Sequence, residues 1–108
     1  MEPLAGYARY DAVGLSELVA GGDAHPLELV EAAAERMAAV NPAVNAVIWD
    51  RIDAARLEAA SGIRSGPFGG VPVLIKDLVV EEGVPVSFGS VFLRNNVGVE
   101  TSEFRHRV

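Results

Sequence analysis

The chain has no cysteine, which excludes a disulfide framework and any thiolate metal site and fits a reducing cytoplasm. Histidine is nearly as scarce: His25 and His106 are the only two and lie far apart in sequence, so no metal site is expected. They read as a helix-end residue and a surface residue. Basic residues are outnumbered, since nine Lys and Arg against fifteen Asp and Glu give 9 − 15 = −6, with a sequence pI near 4.8. With no dense basic cluster and no aromatics interleaved in one, nucleic acid is not an expected partner. No apolar run approaches the roughly 20 residues that cross a bilayer, and Met1 to Tyr10 lacks the basic and apolar regions of a secretory signal. No membrane association is expected, and the cytoplasm is the expected location. Internal repeats and low-complexity tracts are also absent.

What is present is apolar and small. At 108 residues the chain is at most one domain, yet half of it is hydrophobic and its mean hydropathy is +0.25. Aromatics are only 6%, whereas Ala and Val number 16 each, a composition suited to close helix-on-sheet packing. Part of this surface expects a cover, so dimers, dye binding or poor solubility are anticipated.

Asp11 to Ala20 reads as a short helix with Val13, Leu15, Leu18 and Val19 on one side, capped by Asp11 and ended by Gly21-Gly22. A second helix runs from Pro26 to about Asn41, with Asp23 or His25 at its N-cap and Asn41-Pro42 as its stop. Its apolar stripe is Leu27, Val30, Ala34, Met37 and Val40, and Met37 there is core filling. Glu31, Glu35 and Arg36 form a solvated face. Val44 to Trp49 reads as a short strand with Trp49 as a packing anchor. Asp50 then caps a third helix, Arg51 to about Ser61, with Ile52, Ala55 and Ala59 inward. A loop from Ser61 to Gly70 follows. Downstream, Glu81-Glu82-Gly83 is a turn, and Val84 to Phe88 an irregular or edge strand because of Pro85. A helix over about 100–108, started by Thr101 or Ser102, breaks off without a stop signal.

Between these lies the stretch on which the rest is organised, Gly66-Pro67-Phe68-Gly69-Gly70-Val71-Pro72-Val73-Leu74-Ile75-Lys76-Asp77-Leu78. It opens as a turn and becomes an apolar run, Val71 to Ile75, with apolar side chains on both parities. That pattern predicts a strand over about 71–79, buried on both faces. Lys76 at its end either emerges into solvent or sits partly desolvated in a cleft, as a general base requires. The residues alone leave both open.

This stretch closely resembles the segment that carries the catalytic lysine in the amidase signature family, usually Gly-Pro-Leu-x-Gly-Val-Pro-x-x-x-Lys-Asp. The resemblance continues through Pro26 to Ala32, Asn41-Pro42 with Asn45-Ala46-Val47, Gly83-Val84-Pro85 and Gly89-Ser90, nearly the whole chain. Its Gly-Pro-Phe and Lys-Asp-Leu variants most resemble bacterial amidases of the 6-aminohexanoate cyclic dimer hydrolase type. The resemblance implies an α/β fold: one partial domain, 1–108, being the N-terminal segment of an α/β/α sandwich with a mixed sheet. It implies a small-molecule amide substrate, no cofactor, and Lys76 as the catalytic base. In the family, such a lysine acts through a bridging serine on a nucleophilic serine from a Gly-Gly-Ser-Ser loop, a variant of serine acyl transfer. That loop is not among these residues, so the chain alone is expected to be inactive. Ser87 and Ser90 match the family's Gly-Ser turn and are expected to satisfy local backbone groups. Asp77 is given an orienting or structural role, or that of a solvated charge. A second reading is a non-catalytic helical module of amidase ancestry that binds a protein partner. A third is a fragment that completes a site supplied by another chain.

Overall fold

A computed structural model of the chain describes residues 1–62 and 66–108. Of the loop expected between Ser61 and Gly70, residues 63–65 lie outside the described residues. The chain divides into two compact units, Met1–Pro72 and Val73–Val108.

The first unit is helical: α1 is Ala12–Ala20, α2 is Pro26–Val44 and α3 is Ile52–Ser61. Local capping sets their starts. The Asp11 carboxylate accepts the Gly14 amide at 2.8 Å, and His25 Nδ1 accepts the Leu27 amide at 3.1 Å. Glu28 reaches back to the His25 amide at 2.6 Å, completing a capping box behind Pro26, whose missing N–H costs nothing at a helix start. Asp50 accepts the Ile52 amide at 2.8 Å, although Arg51 is the residue in the N-cap position.

α2 does not stop at Asn41-Pro42. Pro42 lies inside the helix despite its missing donor, and the helix runs on to Val44 before Asn45 adopts a left-handed φ of 47°. The strand expected over Val44–Trp49 is absent. The Asn41 amide instead holds Val47 as a partner strand would, accepting its N–H at 2.8 Å and donating to its carbonyl at 2.9 Å. Trp49 is exposed rather than an anchor.

The core of this unit gathers Leu15, Ala24 and Leu29, with Leu4, Tyr7, Leu18, Val19 and Val71 against it. α2 therefore buries Leu29, Val30 and Ala32, a face rotated from the expected stripe, and leaves Val40 exposed. α2 and α3 are joined by a two-pronged ion pair in which Arg56 donates to Glu31 at 2.6 and 3.0 Å. The Gly66–Val71 segment is a run of tight turns: the Gly69 amide donates to the Gly66 carbonyl, the Val71 amide to that of Phe68, and Gly70 takes a φ of 84°.

The second unit is irregular. The buried strand expected over 71–79 does not form, and Val73 and Leu74 are 63% and 77% exposed. A strand needs a neighbour to pair its backbone, and none of the described residues provides one. For the same reason the mixed sheet does not appear among them, apart from two isolated bridges, Glu82 with Gly98 and Pro85 with Val97. Pro85 sits at an irregular position, as its missing donor requires. Val86 is the buried anchor, with its amide on the Asn96 carbonyl and its own carbonyl accepting the Asn96 side chain at 3.0 Å. α4 is Glu103–Arg107, capped by the Ser102 hydroxyl and tied back by Arg105 to Glu81 at 2.8 Å. No helix among the described residues is long and apolar enough to cross a membrane.

Candidate active site

Lys76 lies in an irregular segment that turns at Asp77 and Leu78. Its carbonyl accepts two amides, from Leu78 at 2.7 Å and Val79 at 3.0 Å, so its backbone is pinned although its side chain is exposed. The ammonium makes no hydrogen bond or ion pair among the described residues. It is also the chain's only lysine, the other eight basic residues being arginines.

Asp77 has the opposite character. Its carboxylate accepts the Ser87 amide at 2.7 Å, the Ser87 hydroxyl at 2.6 Å and the Gly89 amide at 3.1 Å. The Ser87 hydroxyl, followed by the amides of Ser87, Gly89 and Phe88, holds this carboxyl below its ordinary value, with burial opposing them. A carboxylate so saturated with donors is no free base.

These donors converge because the backbone curls over Ser87–Ser90. Phe88 and Gly89 both take left-handed angles, φ 53° and 71°, and the Ser90 amide closes on the Ser87 carbonyl at 2.9 Å. Glycine adopts that region freely, but phenylalanine does so only when its surroundings insist. Successive amides in such a turn form a concavity that suits an anion, and here Asp77 fills it.

Ser87 is thus engaged by a carboxylate rather than by local backbone. Ser90 bonds through its backbone, its carbonyl accepting the Leu93 amide at 3.1 Å. The structure brings Asp77 and Ser87 together, a pairing that sequence reasoning misses. The only hint is the Gly89-Ser90 turn, because a left-handed Phe88 carries no sequence signal. His25 is committed to capping α2. Among the described residues no three His, Asp or Glu side chains cluster as metal ligands do.

The family model for amidases matches residues 28–108, a span that includes the lysine segment and the turn bound to Asp77. The chain is 42% identical over 95 residues to a 6-aminohexanoate-cyclic-dimer hydrolase from Pseudomonas sp. (strain NK87), covering 88% of this chain and 18% of that one. A protein of the same name from Paenarthrobacter ureafaciens matches equally, at 42% over 95 residues, with 88% and 18% covered. To an acylamidase from Rhodococcus erythropolis the chain is 38% identical over 93 residues, covering 80% and 20%. The chain spans about a fifth of the length of these curated relatives. With most of its residues under the family model, and relatives this similar along most of its length, the chain belongs to the amidase family.

Proposed function

We propose that the chain is the lysine-bearing portion of an amidase that hydrolyses a carboxamide C–N bond by serine acyl transfer, with Lys76 as the base. The observation that carries this reading is the Gly66–Leu78 motif, which places Lys76-Asp77 inside the span that the amidase family model matches. A neutral Lys76 amine takes the proton of a bridging serine, which takes that of a nucleophilic serine. The serine oxygen adds to the amide carbonyl, backbone amides stabilise the oxyanion, and the amine leaves with the relayed proton. Water then releases the acid by the same relay. Both serines come from segments outside these residues, a Gly-Gly-Ser-Ser loop and a nucleophile segment, so the 108 residues alone are inactive. The engagement of Ser87 with Asp77 supports leaving that serine out of the relay.

In the whole enzyme, residues 71–75 enter the mixed sheet of an α/β/α sandwich, which gives cover to Val73 and Leu74. The names of the relatives, a cyclic-dimer hydrolase and an acylamidase, support a linear or cyclic amide as substrate. The test is a chimera in which this chain replaces the matching segment of the cyclic-dimer hydrolase. A folded chimera that hydrolyses amides, beside an inactive isolated chain, is expected. A folded chimera without activity, or an isolated chain with it, would sink the proposal.

A further inference from the structure

Asp77 stands next to the proposed base but points its carboxylate away from solvent chemistry, into a turn ten residues downstream. Lys76 itself reaches no partner among the described residues, so its amine can be located only through its backbone. That backbone is fixed on two counts: its carbonyl holds the Leu78 and Val79 amides, and the next residue is bolted to the Ser87–Ser90 turn by three hydrogen bonds. The turn holds Phe88 in a conformation its side chain disfavours, and the Asp77 bonds favour that shape together with the Ser90–Ser87 hydrogen bond.

We infer that Asp77 is a positioning residue for Lys76, its carboxylate clamping the Ser87–Phe88–Gly89 turn through the Ser87 hydroxyl and the Ser87 and Gly89 amides, so that the lysine amine is presented from a fixed platform. The inference rests on the reading of Lys76 as the base. It distinguishes the two acidic functions a Lys-Asp pair could have. Asp77 is no counter-ion for the ammonium here: no ion pair joins the two, and its carboxylate is turned to three donors of the turn. Ser87 belongs to the clamp and is not a nucleophile. Asparagine is the critical replacement, because in either orientation its NH₂ group meets a backbone amide, that of Ser87 or that of Gly89, as donor against donor.

Two measurements test it. In this chain, the Ser87 and Gly89 amide protons are expected well downfield in the NMR spectrum, moving together on acidification, and Asp77→Asn should abolish both features. Amide positions unchanged in Asp77→Asn would overturn the clamp. In the chimera with the cyclic-dimer hydrolase, Asp77→Asn is expected to lower kcat by about 10-fold to 100-fold with KM within about threefold, as a misplaced base predicts. Ser87→Ala should lower kcat less, and Ser87→Thr, which keeps the hydroxyl, should restore it. A chimera that loses activity on Lys76→Ala but keeps its kcat with Asp77→Asn overturns the positioning role and leaves the amidase reading standing. Activity that survives Lys76→Ala removes the base itself, and the inference with it. If Asp77→Asn fails to fold, the Ser87→Ala and Ser87→Thr pair decides: equal kcat values in the two would overturn the clamp.

Discussion

Ser87 bonds Asp77 twice, through its amide at 2.7 Å and its hydroxyl at 2.6 Å, and these contacts make the carboxyl easier to ionise in the folded chain than in the unfolded one. A carboxyl depressed on folding stabilises the folded state above its unfolded value of about 4, and that stabilisation is lost as pH falls through the lower, folded value. The Val73–Val108 unit is therefore expected to loosen on acidification below about pH 4. Asp77→Asn should weaken it at neutral pH and flatten this acid response. Hydrogen exchange at the Ser87 amide, followed from neutral to acid pH, reads the effect directly. An identical acid response in Asp77→Asn would show that another carboxyl is responsible.

Glu31 carries the same sign in the other unit. Its carboxyl is lowered first by its hydrogen bond to Arg56, with burial opposing, and the Arg56 guanidinium is raised in turn. The pair is part-exposed, so its contribution is small and sensitive to salt. Arg56→Lys gives up the two-pronged geometry and is expected to speed amide exchange in α3 at low salt, with the difference shrinking at high salt. Equal exchange in the two proteins at low salt would mean that helix packing alone holds α3.

How far the sequence could be read follows from the range of each interaction. Asp11, the His25–Glu28 capping box and Ser102 act within three residues of themselves, and the helices they start lie where their side chains indicate. Pro42 misleads because a proline disfavours a helix without forbidding it, and α2 continues two residues past it before Asn45 ends it. Val71 to Ile75 is a different case. An apolar run specifies burial, but a strand also needs backbone partners, and those are a property of the neighbours rather than of the run. The clamp between Asp77 and Ser87 was out of reach for a third reason, since it depends on Phe88 taking a conformation that its own side chain disfavours.

Gly98 offers a test of the second unit that is independent of charge. It lies against the Glu81 backbone so closely that a Cβ would run into the Glu81 carbonyl, with the Val80 side chain also close by, and a backbone carbonyl leaves little room to yield. Gly98→Ala is expected to cost about 1–3 kcal/mol, the usual penalty for forcing atoms into a filled space. Gly66 has open space around its Cβ position, so Gly66→Ala should be neutral within about 0.5 kcal/mol or slightly stabilising. Urea unfolding of both variants beside the parent checks this. Gly98→Ala as stable as the parent would mean that the 81–98 approach is looser than described.

The apolar side chains left outside make a further prediction. Phe92 is 94% exposed, Val99 88% and Val91 76%, and soluble monomers seldom expose contiguous apolar patches beyond a few hundred Å². The chain is expected to bind a hydrophobic dye and to self-associate with rising concentration. Phe92→Ser combined with Val99→Thr should lower both without loss of helix signal, because neither residue is part of the buried core. A parent chain that is monodisperse and binds no dye would show that these side chains are covered in solution.

The last prediction separates charge from proton transfer at Lys76. If the residue acted only as a surface cation, arginine would replace it without penalty, since guanidinium keeps the charge and most of the reach. If it relays a proton, arginine should fail nearly as badly as alanine, because a guanidinium does not release its proton near neutral pH. In the active chimera, Lys76→Ala and Lys76→Arg are both expected to lower kcat by roughly three orders of magnitude, within the 10²–10⁴ range of general acid–base catalysis. The fold should be unaffected by either change, because the side chain is exposed and makes no hydrogen bond or ion pair among the described residues. Steady-state kinetics with thermal melts of the three proteins decide the matter. Turnover above about a tenth of the parent value in the arginine variant would reduce Lys76 to a positive charge at the end of an apolar segment.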